Sequence, residues 1–195
     1  MSTENYLELR IDQFLERLAD GEAPGGGSAA ALTVAVSAGL VAMVARASSE
    51  SWEEAGGIAA QALAILEHVG PLARTDAEAW QDAASALRGA DGGDAERRNF
   101  ALAQKLERAA AVPLEIAELA ADTAALAALA GERGDGTHRA DAASAAALAA
   151  GAARAAAHLV EINLGVTDDD PRLRRVRDCE RIAAESAARA LGSVR

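Results

Sequence analysis

The chain of 195 residues has few of the residues on which several common kinds of site depend. Its one cysteine, Cys179, excludes an intrachain disulfide and a zinc site built from several cysteines. Lys105 is the one lysine among 19 basic residues, and the net charge is −11. This argues against a nucleic-acid-binding protein, which would carry a basic face. The three histidines do not pair at metal-ligand spacing, so no metal site is predicted.

Alanine dominates what is present, with 54 of the 195 residues, whereas aromatic residues make up 3%. Because alanine has the highest helix propensity and a low strand propensity, we expect an all-α protein with tightly packed helices. Long helices joined by short connections pack as antiparallel neighbours, which predicts an up-and-down bundle of five or six helices. At this length, residues 1–195 are predicted to form one domain.

Apolar spacing, glycines and prolines predict where the helices begin and end. Two helices are expected to bend, at Gly70-Pro71 and at Pro113, because proline removes an internal hydrogen bond and clashes with the preceding turn. Turns are predicted at Gly89–Gly93 and Gly131–Gly136. The predicted helices are Leu7–Asp20, Ser28–Ser49, Trp52–Leu87, Asp94–Ala130, Arg139–Leu164 and Pro171–Leu191.

Ala29–Ala45 is a run of 17 uncharged residues and is the strongest candidate for a membrane span. A span needs about 20 apolar residues, and this run is short and contains Thr33, Ser37 and Gly39. We therefore expect a central, buried helix of a bundle. The N-terminus has no apolar signal-peptide core, so the prediction is a cytoplasmic protein without membrane contact.

The segment Ala23-Pro24-Gly25-Gly26-Gly27-Ser28 leads directly into this run. Consecutive glycines are costly to order, so they are expected where dihedral angles are unusual or where another group approaches the backbone closely. Ser28 is a suitable N-cap, and the N–H groups and positive dipole end of the helix would attract an anionic or polar ligand group. No Lys-Ser or Lys-Thr pair follows, so the motif is not a P-loop. A plain glycine turn between two helices is the alternative.

Several local patterns together resemble the cyclodeaminase/methenyltetrahydrofolate cyclohydrolase family, which includes the C-terminal half of formiminotransferase-cyclodeaminase. The resemblance covers nearly the whole chain. It rests on Ala23-Pro24-Gly25-Gly26-Gly27-Ser28-Ala29-Ala30-Ala31-Leu32, Met43-Val44-Ala45, Asp76-Ala77-Glu78-Ala79-Trp80, Ala111-Val112-Pro113-Leu114, Ala117-Glu118-Leu119-Ala120, Gly134-Asp135-Gly136-Thr137, Ala140-Asp141 and Ile162-Asn163-Leu164.

The resemblance implies an all-α homodimer with a folate pocket near the dimer interface. It implies two reactions of tetrahydrofolate derivatives, which are the substrates, with no metal or redox cofactor. One reaction closes 5-formimino-tetrahydrofolate to 5,10-methenyl-tetrahydrofolate with loss of ammonia. The other interconverts 5,10-methenyl- and 10-formyl-tetrahydrofolate with water. The sequence does not distinguish the cyclohydrolase from the cyclodeaminase.

Both reactions pass through a tetrahedral carbon between two nitrogens, so a group that moves protons is required. Asp76 matches the family's proposed catalytic aspartate. Ala79 and Trp80 follow it at helical spacing, and an apolar wall there would raise its pKa and favour proton donation. A solvated helix aspartate is the alternative. His138, close in sequence to Asp141, is the second acid–base candidate.

The predicted substrate-binding residues are polar or backbone groups near the family motifs. For Asp141 the alternative is a charge that complements the dipole of its helix, and for Asn163 it is a structural hydrogen bond. The set consists of Gly25, Gly26, Gly27, Ser28, Asp135, Asp141 and Asn163.

Two departures from the family pattern keep other functions open. After Met43 the family carries basic residues, whereas this chain has Arg46-Ala47-Ser48-Ser49-Glu50-Ser51-Trp52. Asp135 and Thr137 also stand where the family commonly has asparagines. The alternatives to a folate enzyme are a family member redirected to a non-folate amidine, formyl or cyclic substrate, and a non-catalytic helical binding dimer.

Overall fold

The computed structural model describes residues 6–21, 23–88, 95–164 and 170–192, without the side chains of residues 95–98. Within these ranges the secondary structure is α-helix and two short 3-10 turns with no strand, so the all-α prediction is confirmed. The helices are α1 (Ile11–Asp20), α2 (Gly26–Ala47), α3 (Ala55–Arg88), α4 (Ala95–Arg133), α5 (Arg139–Leu164) and α6 (Pro171–Gly192).

Contacts between the helices show that the chain runs up and down. Ser28 near the start of α2 bonds to Ala73 in the second half of α3, whereas Gly39 further along α2 lies against Leu66 earlier in α3. These two helices are therefore antiparallel. Further residue pairs give the same opposed directions for α3 and α4, α2 and α5, and α5 and α6: His68–Glu115 and Asp82–Lys105, Gly26–Leu159 and Ser37–Ala145, Glu161–Arg177 and Arg154–Glu180.

Helix α2 packs against α3, α4 and α5, whereas α4 packs against four helices, α2, α3, α5 and α6, so the predicted central position belongs to α4 at least as much as to α2. Both α2 and the segment Gly136–Leu164 are long and apolar enough to cross a membrane, with mean hydropathies of 2.0 and 1.3. Within the bundle 56% and 50% of these two stretches are buried. Packing against neighbouring helices thus accounts for much of their apolar composition.

Alanine fills most of the core, and the largest fully buried side chains include Ile116, Leu173 and several valines. Such small side chains allow helix backbones to approach closely. The approach is close enough for hydroxyl groups to bridge helices, as when Ser37 Oγ donates to the Ala145 carbonyl at 2.6 Å. The packing is therefore dense and depends on small residues at the contact faces.

Several helix ends differ from the sequence prediction. A 3-10 turn, Tyr6–Glu8, precedes α1, and α2 begins two residues earlier than expected. The predicted turn Gly131–Gly136 is helical as far as Arg133. Pro71 and Pro113 both lie inside helices that continue past them, whereas α5 has the predicted bounds. The predicted turn Gly89–Gly93 and the predicted helix start at Asp94 lie outside the described residues.

Candidate functional site

Ser28 joins the start of α2 to α3 through two hydrogen bonds. Gly25 is the N-cap of α2, so Ser28 lies inside the first turn and the prediction that it is the N-cap is wrong. Its buried Oγ donates to the Ala73 carbonyl at 2.6 Å, and its backbone N–H donates to the carboxyl group of Asp76. The anion at this helix N-terminus is therefore a side chain of the protein itself.

The close approach of Asp76 explains one of the three glycines. A Cβ atom built on Gly27 would overlap the Asp76 carboxyl group. None of the three has a positive φ, so the unusual-dihedral explanation does not apply to them. A Cβ at Gly25 would meet nothing within 4 Å, and one at Gly26 would make ordinary contact with Leu159. Gly25 and Gly26 thus leave backbone open to the adjacent cleft.

Two opposing effects set the pKa of Asp76. Burial raises this pKa because the charged form loses water, whereas the hydrogen bond from the Ser28 N–H lowers it. Burial is the larger effect, and it raises the pKa of Asp76 to about 6. The direction is the one predicted from the sequence. With its pKa raised toward neutrality, Asp76 can change between its ionised and protonated forms near pH 7.

Asp76 lies on the wall of a cleft of about 190 Å³ bordered by the glycine segment and by α3, α4 and α5. Trp80, Leu159 and Ile162 give the cleft an apolar side. Among the described lining residues, Asp76 is the one ionisable side chain, and Asn163 is the one other polar side chain. The described wall of the cleft therefore combines the Asp76 carboxyl group with a largely apolar surface.

Asn163 reaches this cleft from the last turn of α5. Its Nδ2 donates to the Ala109 carbonyl of α4 at 2.8 Å, and Ala109 also lines the cleft. The structural bond considered from the sequence is thus present. Because Nδ2 is used in this bond, the orientation of the amide is fixed by its surroundings.

The remaining predicted site residues lie at the opposite end of the bundle. The Asp135 N–H donates to Ser48 Oγ at the C-terminal end of α2. Ser28 and Ser48 are twenty residues apart along α2, which corresponds to about 30 Å along the helix axis. The structure therefore brings together Gly25–Ser28, Asp76 and Asn163, and it does not bring Asp135, His138 or Asp141 to the same cleft.

Local contacts engage the residues at this far end. The Asp135 carboxyl accepts a hydrogen bond from the Thr137 N–H at 2.8 Å, and its hydrogen bonds to Thr137 lower its pKa. His138 Nδ1 lies 3.5 Å from Asp141 Oδ2. Asp141 is in the first turn of α5, where its charge complements the helix dipole. These contacts order the α4–α5 connection.

Leu159, Ile162 and Tyr6 are neighbours of the candidate site that were not predicted from the sequence. Leu159 and Ile162 precede Asn163 at i−4 and i−1, so their helical spacing could have indicated a shared apolar wall. Tyr6 precedes α1 in a turn that packs on α3, and burial together with the charges of Glu78 and Asp76 raises its pKa. No sequence pattern indicates this contact.

The one cysteine of the chain is separate from the cleft. Cys179 is buried on α6, and burial together with the Glu118 carboxylate raises the pKa of its thiol. Over the ranges that the structure describes, no group of three or more histidine, cysteine, aspartate or glutamate side chains is arranged to hold a metal ion.

Comparison with known proteins agrees with this architecture. No curated protein matches the chain. The crystal structure of formiminotetrahydrofolate cyclodeaminase from Thermotoga maritima at 2.80 Å resolution is similar, with a TM-score of 0.84 and 21% sequence identity over 96% of each chain. This likeness shows a shared fold. Residues 10–180 match the family model described as formiminotransferase-cyclodeaminase. Because that match covers most of the sequence, the chain belongs to the formiminotransferase-cyclodeaminase family.

Proposed function

We propose that this protein is a cytoplasmic one-carbon tetrahydrofolate enzyme of the methenyltetrahydrofolate cyclohydrolase or formimidoyltetrahydrofolate cyclodeaminase type. Asp76 is its acid–base residue. The observation that carries the proposal is the half-buried Asp76 carboxyl, held by the Ser28 N–H on the wall of a cleft whose other described lining residues are uncharged. A carboxyl group in such surroundings is suited to accept and return a proton near neutral pH.

In the cyclohydrolase reaction, water adds to the methenyl carbon, whose positive charge is shared with N5 and N10 of the folate. The ionised Asp76 takes one proton from the water as the carbon–oxygen bond forms. Asp76 then gives this proton to N5 as the carbon–N5 bond breaks. The hydroxyl proton leaves to solvent, so the products are 10-formyl-tetrahydrofolate and one proton. Asp76 acts first as a base and then as an acid.

In the cyclodeaminase reaction, N10 adds to the carbon of the protonated formimino group. Asp76 takes the N10 proton and returns it to the amino group on the same carbon, which leaves as ammonia. The product is the 5,10-methenyl cation, so charge and atoms balance. Neither reaction changes the oxidation level of the carbon. No redox cofactor is therefore needed, and the proposal also includes no metal.

The size and lining of the cleft support a reacting centre that binds one end of a larger ligand. Its volume of about 190 Å³ is below the roughly 300–1,000 Å³ of most small-molecule sites. Trp80 is 45% exposed and lines the cleft, so its ring can stack on a planar heterocycle. The rest of the ligand would extend beyond the mouth of the cleft.

We propose further that the protein is a homodimer whose interface includes α1. None of the residues of α1 is buried, and its apolar Ile11 and Leu15 are 79% and 55% exposed. A groove of about 700 Å³, lined mainly by apolar side chains, lies between α1 and the adjoining faces of α2 and α5. The occupant that fits is a second copy of this chain, because the same apolar face would then cover itself in a two-fold arrangement.

The function is tested by mixing the purified protein with 5,10-methenyl-tetrahydrofolate and following the loss of its near-ultraviolet band. Buffer alone gives the unaided rate, and the Asp76→Asn variant is the matched control because it keeps the shape of the side chain. We expect acceleration by the unaltered protein and a fall of about 10²- to 10⁴-fold in the variant. The unaltered protein and the Asp76→Asn variant are then assayed with 5-formimino-tetrahydrofolate, and the release of ammonia is measured.

The outcomes separate the competing functions. Acceleration with only the formimino substrate identifies a cyclodeaminase, and acceleration with only the methenyl substrate identifies a cyclohydrolase. If neither substrate reacts faster than in buffer, the folate proposal is wrong. A redirected enzyme for a non-folate amidine would then be favoured, because the described lining offers Asp76 to a cation and no basic side chain to an anion.

A further inference from the structure

The carbonyl group of Ala109 lacks its usual partner within α4. In an α-helix a carbonyl accepts a hydrogen bond from the N–H four residues later, and for Ala109 that residue is Pro113. Proline has no N–H, so the internal bond cannot form. Pro113 is fully buried, and α4 nevertheless continues past it. A buried carbonyl without a partner is costly, so another donor is required.

Asn163 supplies that donor from α5. Its Nδ2 lies 2.8 Å from the Ala109 oxygen, and a carbonyl can only accept, so the amide must point its NH₂ group at α4. The polar atom that remains is Oδ1, which accepts only. No donor from the described part of the chain bonds to it. Because Asn163 and Ala109 both line the cleft with Asp76, this acceptor is available there.

We propose that Asn163 is a specificity-determining residue whose Oδ1 accepts a hydrogen bond from an N–H group of the substrate. The inference rests on the proposed function for the kind of substrate, a reduced pterin whose ring carries such N–H groups. A free asparagine could turn either its donor or its acceptor to a ligand. In this protein Pro113 determines that the acceptor faces the ligand. Because Pro113 has no N–H, the Ala109 carbonyl accepts its hydrogen bond from Asn163 Nδ2, and Oδ1 remains for the ligand. A ligand that presents only acceptors at this wall is therefore disfavoured.

The difficulty in testing Asn163 is that it also has a structural bond, so Asn163→Leu alone leaves the Ala109 carbonyl unpartnered and lowers stability. The Pro113→Ala variant removes this difficulty, because the substituted residue has an N–H that can bond to the Ala109 carbonyl. In this background the amide of Asn163 is no longer needed by α4. Substitutions of Asn163 there report on the ligand alone.

The experiment compares the unaltered protein and the Pro113→Ala, Asn163→Leu and Pro113→Ala/Asn163→Leu variants. Each is measured for thermal unfolding and for binding of tetrahydrofolate, followed by tryptophan fluorescence since Trp80 lines the cleft. We expect Asn163→Leu to unfold at a lower temperature and to bind more weakly. In the Pro113→Ala background the same change should leave the unfolding temperature nearly unaltered and still raise the dissociation constant about tenfold.

A second substitution, Pro113→Ala/Asn163→Ala, guards against a steric effect of leucine in the cleft, and it too should raise the dissociation constant. Equal affinities for Pro113→Ala and both of its Asn163 variants would overturn the inference and leave the proposed function standing. Failure of the unaltered protein both to bind tetrahydrofolate and to turn over the two folate substrates would overturn the proposed function, and this inference with it.

Discussion

Gly27 and the Asp76 carboxyl group are so close that not even a methyl group fits between them. The neighbouring Ser28 N–H donates to the same carboxyl group. The glycine motif of α2 and the aspartate of α3 are therefore one structural unit, in which Gly27 leaves space for the carboxyl group and Ser28 holds it. This arrangement leads to the first prediction.

Replacing Gly27 with alanine should lower kcat/KM for the folate substrate about 10²-fold. The new methyl group must displace the Asp76 carboxyl group. Moving a catalytic group by about 1 Å has an effect of this size on the rate. The measurement is the near-ultraviolet assay on the purified variant. Gly57→Ala is the matched control, since Gly57 is also helical and its Cβ would meet nothing within 4 Å. A fully active Gly27→Ala protein would contradict the proposed position of the carboxyl group.

The rate should depend on pH through the ionisation of Asp76. Both proposed reactions begin with the ionised carboxylate, and burial raises its pKa to about 6. We expect kcat/KM to rise about tenfold for each pH unit below 6 and to level off above it. The initial rate is measured at each pH with the buffer rate subtracted. A rate that falls through pH 6 as pH increases would show that the protonated acid begins the reaction.

The free energy of unfolding should fall as pH rises over the same range in which the rate is expected to increase. The pKa of Asp76 rises from 3.8 to about 6 on folding, so the folded state binds more protons between these values. The contribution of Asp76 to stability is therefore most favourable below pH 3.8 and is lost as pH rises through 6. In Asp76→Asn this loss is absent. The variant should be more stable at pH 8, by at most about 3 kcal/mol, and should gain little at pH 4.

Urea unfolding at the two pH values measures this difference. Asp82→Asn is the matched control, because Asp82 lies on the same helix and is exposed. An equal gain for Asp76→Asn at pH 4 and pH 8 would mean that lost charge is not the cause. The expected result also predicts a conflict between stability and activity at this one residue, as catalytic groups often show.

A single charge on the exposed face of α1 should dissociate the proposed dimer. Leu15→Glu would place a carboxylate in the apolar groove, where burial without a partner is unfavourable. Sedimentation equilibrium should give a dimer for the unaltered protein and a monomer for the variant. Ile182→Glu is the control, since Ile182 is 41% exposed on α6 and away from the groove. A monomeric unaltered protein would refute the proposed interface.

The sequence predicted the helices better than it predicted their ends. The bounds of α5 were predicted correctly, because a polar turn precedes a long alanine-rich run there. The N-cap of α2 was predicted wrongly, because Ser28 has the right chemistry for a cap but is held by Ala73 and Asp76, two residues of another helix. Helix propensity and capping preference are local, and these partners are not.

The candidate site was predicted in part for a similar reason. Asp76 and Asn163 were chosen from family motifs, and the structure places both at one cleft. Asp135, His138 and Asp141 were grouped with them although α5 begins at the end of the bundle opposite the start of α2. The antiparallel order already implied this separation. By contrast, no sequence pattern identified Asn163 as the donor for the Ala109 carbonyl.

The hydroxyl groups of Ser28 and Ser48, at the two ends of α2, fix the distance between the elements to which they bond. Ser28 is bonded to α3 near one end, and Ser48 is bonded to the α4–α5 connection at the other. Inserting or deleting one residue between them would turn one serine by about 100° relative to the other and shift it by about 1.5 Å. Both bonds could not then survive. The length of α2 is thus fixed by the bonds at its two ends, in addition to the limits that close packing places on the size of its side chains.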